Sequence, residues 1–143
     1  MIKLDHSENI KAPVARVFAY VTDFHTSAEW QDGVMESSQT PEAPTQLGTK
    51  MKIVRMLMGQ RLETAGEVTE FEPNRRFAFK TGSGPIKFNL VQAFMPAAGG
   101  TKMDTHVEME AGGFMKVSEP VIAADLKQQL QGEGKKLKEI LES

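Results

Sequence analysis

Between Val34 and Glu110 the chain is broken by turn-forming residues at intervals that suit strands rather than helices. The breaks fall at Pro41 to Pro44, Leu47-Gly48, Met58-Gly59, Pro73-Asn74, Gly82 to Pro85, and Pro96 to Gly100. They delimit segments near 34–39, 49–57, 61–71, 75–81, 86–95 and 101–110. Six short strands joined by tight turns predict an antiparallel meander, because parallel neighbours need a much longer crossover. The last segment alternates most cleanly. Met103, Thr105, Val107 and Met109 share one face, and Lys102, Asp104, His106, Glu108 and Glu110 share the other. One face of such a sheet is wet and the other must be covered.

The cover is the C-terminal segment. Pro120 fits a helix start better than a helix interior, so a helix is expected over about 119–141. Ile122, Leu126, Leu130, Leu137 and Leu141 form one apolar stripe along it. Such a helix is on the order of 34 Å long, and a ten-residue strand spans about 33 Å, so the helix can lie along the whole concave face. Gly132 and Gly134 disfavour a helix interior by about 1 kcal/mol each relative to Ala. They mark a bend or a close backbone approach. Ahead of the meander, residues 2–10 carry Ile2, Leu4 and Ile10 as a first strand. Pro13 opens a short helix over about 13–20, with Val14, Val17, Phe18 and Val21 at helical spacing. Asp23 is placed to cap a second short helix running through Trp30.

The 143 residues favour one domain, spanning 1–143. No repeat, low-complexity tract or linker divides them. The absence of cysteine rules out disulfides, thiolate metal sites and thiol catalysis, and fits a cytoplasmic location. The formal net charge is −2, and the densest basic stretch is Lys135, Lys136 and Lys138. Nucleic acid usually needs a broader basic face, so no nucleic-acid partner is expected. No apolar run approaches the ~18 residues of a membrane span. His6, His25 and His106 are scattered without metal-ligand spacing. Neither a metal nor a cofactor is expected.

The order of elements resembles the helix-grip fold of the START-like, birch-pollen-allergen-like (SRPBCC) superfamily, an α+β architecture. That fold wraps a curved antiparallel sheet of about seven strands on a long C-terminal helix, with two short helices after the first strand. Within it the chain is most similar to the bacterial polyketide cyclase/dehydrase-type small proteins. The segments that carry the resemblance are 10–18 (IKAPVARVF), Val21-Thr22-Asp23 with Trp30 beyond, 66–77 (GEVTEFEPNRRF), 99–103 (GGTKM) and Leu137-Lys138-Glu139. These are structural segments. The resemblance implies a cavity between sheet and helix and specifies no catalytic constellation.

Pleat alternation predicts the inward positions of that cavity. They are Met51, Ile53, Arg55 and Leu57; Phe77 and Phe79; Phe88 and Leu90; and Met103, Thr105, Val107 and Met109. Ile122, Leu126 and Leu130 face them from the helix, and Trp30 roofs the mouth. Each of these apolar side chains can equally be simple core. Arg55 is the sharper case. Inside, it is a cation needing a partner, such as an acidic ligand group. A one-residue slip instead sends it outward and turns Val54 and Met56 in. His25 and Glu29, four apart, make either a base–carboxylate pair or a surface interaction. Asp104, His106 and Glu108 lie opposite the apolar stripe and read as solvated surface. Gly82 to Pro85 lacks a P-loop lysine and reads as a hairpin loop. Gly112, Gly113 and Phe114 precede the helix and are candidates for the cavity entrance.

Three functions fit. The leading one is binding of a small hydrophobic or amphipathic molecule by a carrier or sensor, with Arg55 and Thr105 orienting it. The second is a cyclase or dehydratase without metal that confines its substrate. It requires an inward acid or base, which the alternation does not supply with assurance. The third is an interaction module with a collapsed cavity.

Overall fold

The computed structural model describes residues 2–31, 34–40, 44–57, 59–83, 87–110 and 119–142. Strand β1 (Ile2–Ile10) is followed by helix α1 (Val14–Val21), a 3-10 turn (Phe24–Thr26) and the one-turn helix α2 (Ser27–Trp30). Six strands come next: β2 (Val34–Thr40), β3 (Lys50–Leu57), β4 (Gln60–Glu72), β5 (Arg76–Ser83), β6 (Lys87–Ala97) and β7 (Gly100–Glu110). Helix α3 (Glu119–Leu141) closes the chain. All neighbours are antiparallel, and the sheet order is β1-β7-β6-β5-β4-β3-β2. The meander of β2 to β7 is sequential, and β1 returns to pair with β7 along its whole length, Ile2 opposite Met109 and Ile10 opposite Thr101. This is the helix-grip architecture.

Local chemistry sets the boundaries. Pro13, with φ −59° and ψ 145°, lies just ahead of α1 and needs no backbone N–H there. Val17, Phe18 and Val21 bury one face. The Thr22 hydroxyl donates back to the Phe18 carbonyl at 2.8 Å as the helix ends. Asp23 does act as a cap, its carboxylate accepting from the His25 N–H at 2.9 Å, but the capped element is a 3-10 turn running into α2 rather than one helix. The Gly82 to Pro85 hairpin also differs in extent. Gly82 and Ser83 belong to the end of β5, while Gly84 and Pro85 lie outside the described residues.

The sheet curves because β4 is irregular. Its pairing with β5 shifts at Ala65/Gly66 and again at Val68/Glu70, and such bulges bend a strand and sharpen its twist. Gly66 is obligatory at the first shift, since a Cβ there would run into the Lys80 carbonyl across the pair. The core on the concave side has two parts. One gathers Val17, Phe18, Val21, Phe24 and Trp30 against Phe77, Phe79, Phe94, Leu137 and Leu141. The other joins Ile2, Leu62, Val107 and Met109 to Ile122, Leu126 and Leu130 of α3. Phe88 and Leu90 pack against both. No helix among the described residues is long and apolar enough to cross a membrane.

Candidate functional site

A cavity draws its walls from both parts of the core, between the concave sheet and α3. The space open to the centre of a water molecule is about 90 Å³. Of the sequence-predicted positions, Trp30, Ile53, Arg55, Phe77, Phe79, Phe88, Leu90, Met103, Thr105, Val107, Met109, Leu126 and Leu130 line it. Met51 and Ile122 do not. They are 3 % and 1 % exposed and fill core beside the cavity, because an inward direction is shared by core and pocket alike. The side chain of Leu57, like Phe114 and its neighbours Gly112 and Gly113, lies outside the described residues.

The aromatic wall is continuous. Phe24 meets Phe79 edge-on with centroids 5.8 Å apart, and Phe79 stacks on Phe88 at 6.0 Å. Trp30 is 4 % exposed, and its indole N–H has no acceptor among the described residues. A buried donor left without an acceptor costs about 1–3 kcal/mol.

Arg55 points inward, and its neighbour Met56 is exposed. The guanidinium donates to Gln31 Oε1 at 2.7 Å and to Gln129 Oε1 at 3.3 Å, and lies 3.6 Å from Glu133 Oε1. Gln129 is steadied in turn, its amide donating to Asp125 at 3.1 Å. The Arg55 and Glu133 side chains are 19 % and 7 % exposed, so this is a largely buried ion pair joining β3 to α3.

Sequence alternation missed the opposite, equally polar flank. On β1, His6 and Glu8 point to the concave side, paired across to Thr105 and Met103 of β7. His6 lines the cavity, and its Nε2 lies 2.8 Å from Glu8 Oε1. Next to them Gln92 donates to Thr105 Oγ1 at 3.4 Å. Helix α3 passes directly over Glu8 at Gly134, where a Cβ would collide with the Glu8 carboxylate. Of the two readings offered for the helix glycines, Gly134 takes the close approach. Glu133 and Gly134 are consecutive, so one point on α3 is gripped by β3 from one side and by β1 from the other.

Other candidate clusters fall elsewhere. His25 does not pair with Glu29: its ring lies 2.9 Å from Asp23, and Glu29 instead accepts from the Tyr20 hydroxyl at 3.3 Å. The 3-10 geometry of residues 24–26 breaks the i,i+4 alignment a continuous helix would give. His106 is on the wet face, 2.7 Å from Asp5 and 3.4 Å from Glu108. The hydrogen bond with Asp5, helped by Glu108, holds its pKa above the ordinary imidazole value. No cluster of three or more His, Asp or Glu side chains able to hold a metal occurs among the described residues.

A family model described as polyketide cyclase/dehydrase and lipid transport matches residues 1–142. No curated protein matches the sequence. Among solved structures, a START superfamily protein from Mycobacterium smegmatis superposes with a TM-score of 0.80 at 14% identity, covering 98% of this chain and 97% of that one. A protein from Thermus thermophilus gives 0.75 at 19% identity, covering 95% and 97%. One from Chromobacterium violaceum gives 0.72 at 16% identity, covering 99% and 98%. At these identities the likeness is one of fold.

Proposed function

The chain belongs to the polyketide cyclase/dehydrase and lipid transport family, within the START-like, birch-pollen-allergen-like superfamily, and from that premise we propose that it is a cytoplasmic carrier or sensor that binds a small amphipathic molecule between sheet and α3. One observation carries the reading: a largely buried guanidinium, Arg55, set in the wall of a mainly apolar cavity. Apolar burial supplies the driving force, at about 25 cal/mol per Å² before the costs of association. Few, convergent polar groups fix orientation in such sites. Arg55 meets an acidic or carbonyl oxygen of the ligand. The Trp30 N–H is a further donor in the same wall. The open volume, about 90 Å³, is small beside drug-sized pockets of roughly 300–1,000 Å³. A larger ligand therefore requires the cavity to widen.

The enzyme reading gains one specific support, the inward His6–Glu8 pair. It supplies the cavity-facing acid–base group that a cyclase or dehydratase needs and that strand alternation did not reveal. The carrier reading stands ahead because it asks of the cavity only that it be occupied.

Native mass spectrometry of gently purified protein, followed by organic extraction, tests this. The expected result is a reproducible small-molecule adduct bearing an acidic or carbonyl group, retained by the wild type and depleted in Arg55→Met. A clean apo mass for the wild type, with no ligand captured from an extract, counts against the carrier and favours transient occupancy by a substrate.

A further inference from the structure

His6 is a cavity-lining imidazole whose tautomer the surrounding chain decides. Its Nε2 sits 2.8 Å from Glu8 Oε1. An ionised carboxylate only accepts hydrogen bonds, so Nε2 must carry the proton of that bond. In the neutral ring the other nitrogen, Nδ1, is then an acceptor. No partner for Nδ1 occurs among the described residues. Gly134 of α3 lies against Glu8, and a Cβ there would force the carboxylate to shift away. The side chains of His6 and Glu8 are 20 % and 16 % exposed, so water competes weakly for the bond between them.

We infer that His6 is a second polar anchor of the cavity, its Nδ1 accepting a hydrogen bond from an O–H group on the ligand, with Glu8 and Gly134 as positioning residues that fix the acceptor tautomer. This rests on the ligand-binding reading above and narrows it to compact apolar molecules that carry a hydroxyl. The Arg55 flank takes an oxygen acceptor. The His6 flank takes a donor. The two flanks lie on opposite sides of α3, so a ligand satisfying both is polar at both ends and apolar between.

Phenol and anisole share the ring and its oxygen and differ in that a methyl replaces the O–H hydrogen, and the His6 and Glu8 variants separate the lost donor from the added methyl. Both are titrated at pH 8.5 into isotope-labelled protein, and binding is followed by chemical-shift change. Phenol is expected to bind about five- to tenfold more tightly than anisole, the worth of one net hydrogen bond. His6→Leu brings the ratio to about one. Imidazole ¹⁵N spectra of the wild type are expected to show Nε2 protonated and Nδ1 bare, with the Nδ1 resonance moving on adding phenol. Glu8→Gln, which keeps the cavity shape and lets the amide donate or accept, weakens the tautomer preference and the phenol advantage together, so the inference stays testable even if His6→Leu does not fold. Equal binding of the two probes, or a protonated Nδ1, overturns the anchor and leaves the carrier standing. Binding of neither probe overturns both.

Discussion

Tyr20 offers the cleanest test at the scale of one residue, because it is the only tyrosine in the chain. Partial burial, and then the carboxylate of Glu29 that accepts its hydroxyl hydrogen bond, push its pKa from 10.0 up to about 12. Burial disfavours the phenolate, and the neighbouring negative charge disfavours it further. The raised value fixes the sign of the stability effect. The contribution is fully present below pH 10, where Tyr20 is protonated in both states. It is lost as pH rises through about 12, because the unfolded chain releases the proton first. Absorbance titration near 295 nm should therefore place the native midpoint about two pH units above that of the denatured protein. Glu29→Gln should bring the native midpoint down, with burial and the Asp23 charge left to hold it above 10. A native midpoint already at 10 would mean that hydroxyl and carboxylate do not meet in solution.

At the scale of elements, α3 is the one that combines unlike demands. Its stripe Leu126, Leu130, Leu137 and Leu141 makes a seven-residue step from Leu130 to Leu137, and Glu133 falls inside it at helical spacing from both flanking leucines. A carboxylate buried on that face is held by Arg55. Replacing one partner of a buried pair strands the other, whereas replacing both with apolar groups is often neutral or stabilising. Glu133→Leu alone should destabilise the fold by about 2 kcal/mol, below the usual ~3–5 for a buried pair because Arg55 keeps Gln31 and Gln129. That is roughly 7 °C in Tm for a chain of this size. Arg55→Met with Glu133→Leu should return to within about 1 kcal/mol of the wild type or exceed it. Additive losses in the double variant would show that the two residues act independently. The same element shows what the sequence could reveal. Strand and helix boundaries were legible within one or two residues, because turn residues and apolar periodicity are local signals. The inward direction of Arg55 was legible as one of two registers. Apolar patterning does not mark His6, Glu8 and Glu133 as inward, since each is a polar residue in an apolar pattern. Continuing the alternation Ile2, Leu4 through 6 and 8 to Ile10, or filling the gap between Leu130 and Leu137, would have found them. Which inward side chains border open space rather than core, as Met51 and Ile122 show, depends on how layers meet and has no local signature.

For the molecule as a whole, the cavity exists only when three distant parts of the chain are assembled. The first strand supplies His6 and Glu8, the middle strands supply Arg55 and the aromatic wall, and the last helix closes over them at Glu133 and Gly134. Strand β1 is also the partner that β7 needs along its edge. Neither the sheet nor the site is complete until the N-terminal strand has docked against elements about a hundred residues later in sequence. Interactions that interlock in this way favour a single cooperative transition over stepwise loss. Trp30, the only tryptophan, lies in the cavity wall and reports on the site, while far-UV circular dichroism reports mainly on backbone structure distributed over the whole chain. Urea unfolding followed by both signals should give superimposable curves with one midpoint and one slope. If the tryptophan transition came first, the site would open with the sheet intact. The grip of β1 and β3 on α3 would then be a separable latch, and ligand could enter by local release of the helix. Coincident curves mean instead that opening the cavity is as costly as unfolding the protein. In that case a ligand must enter through smaller movements around the mouth.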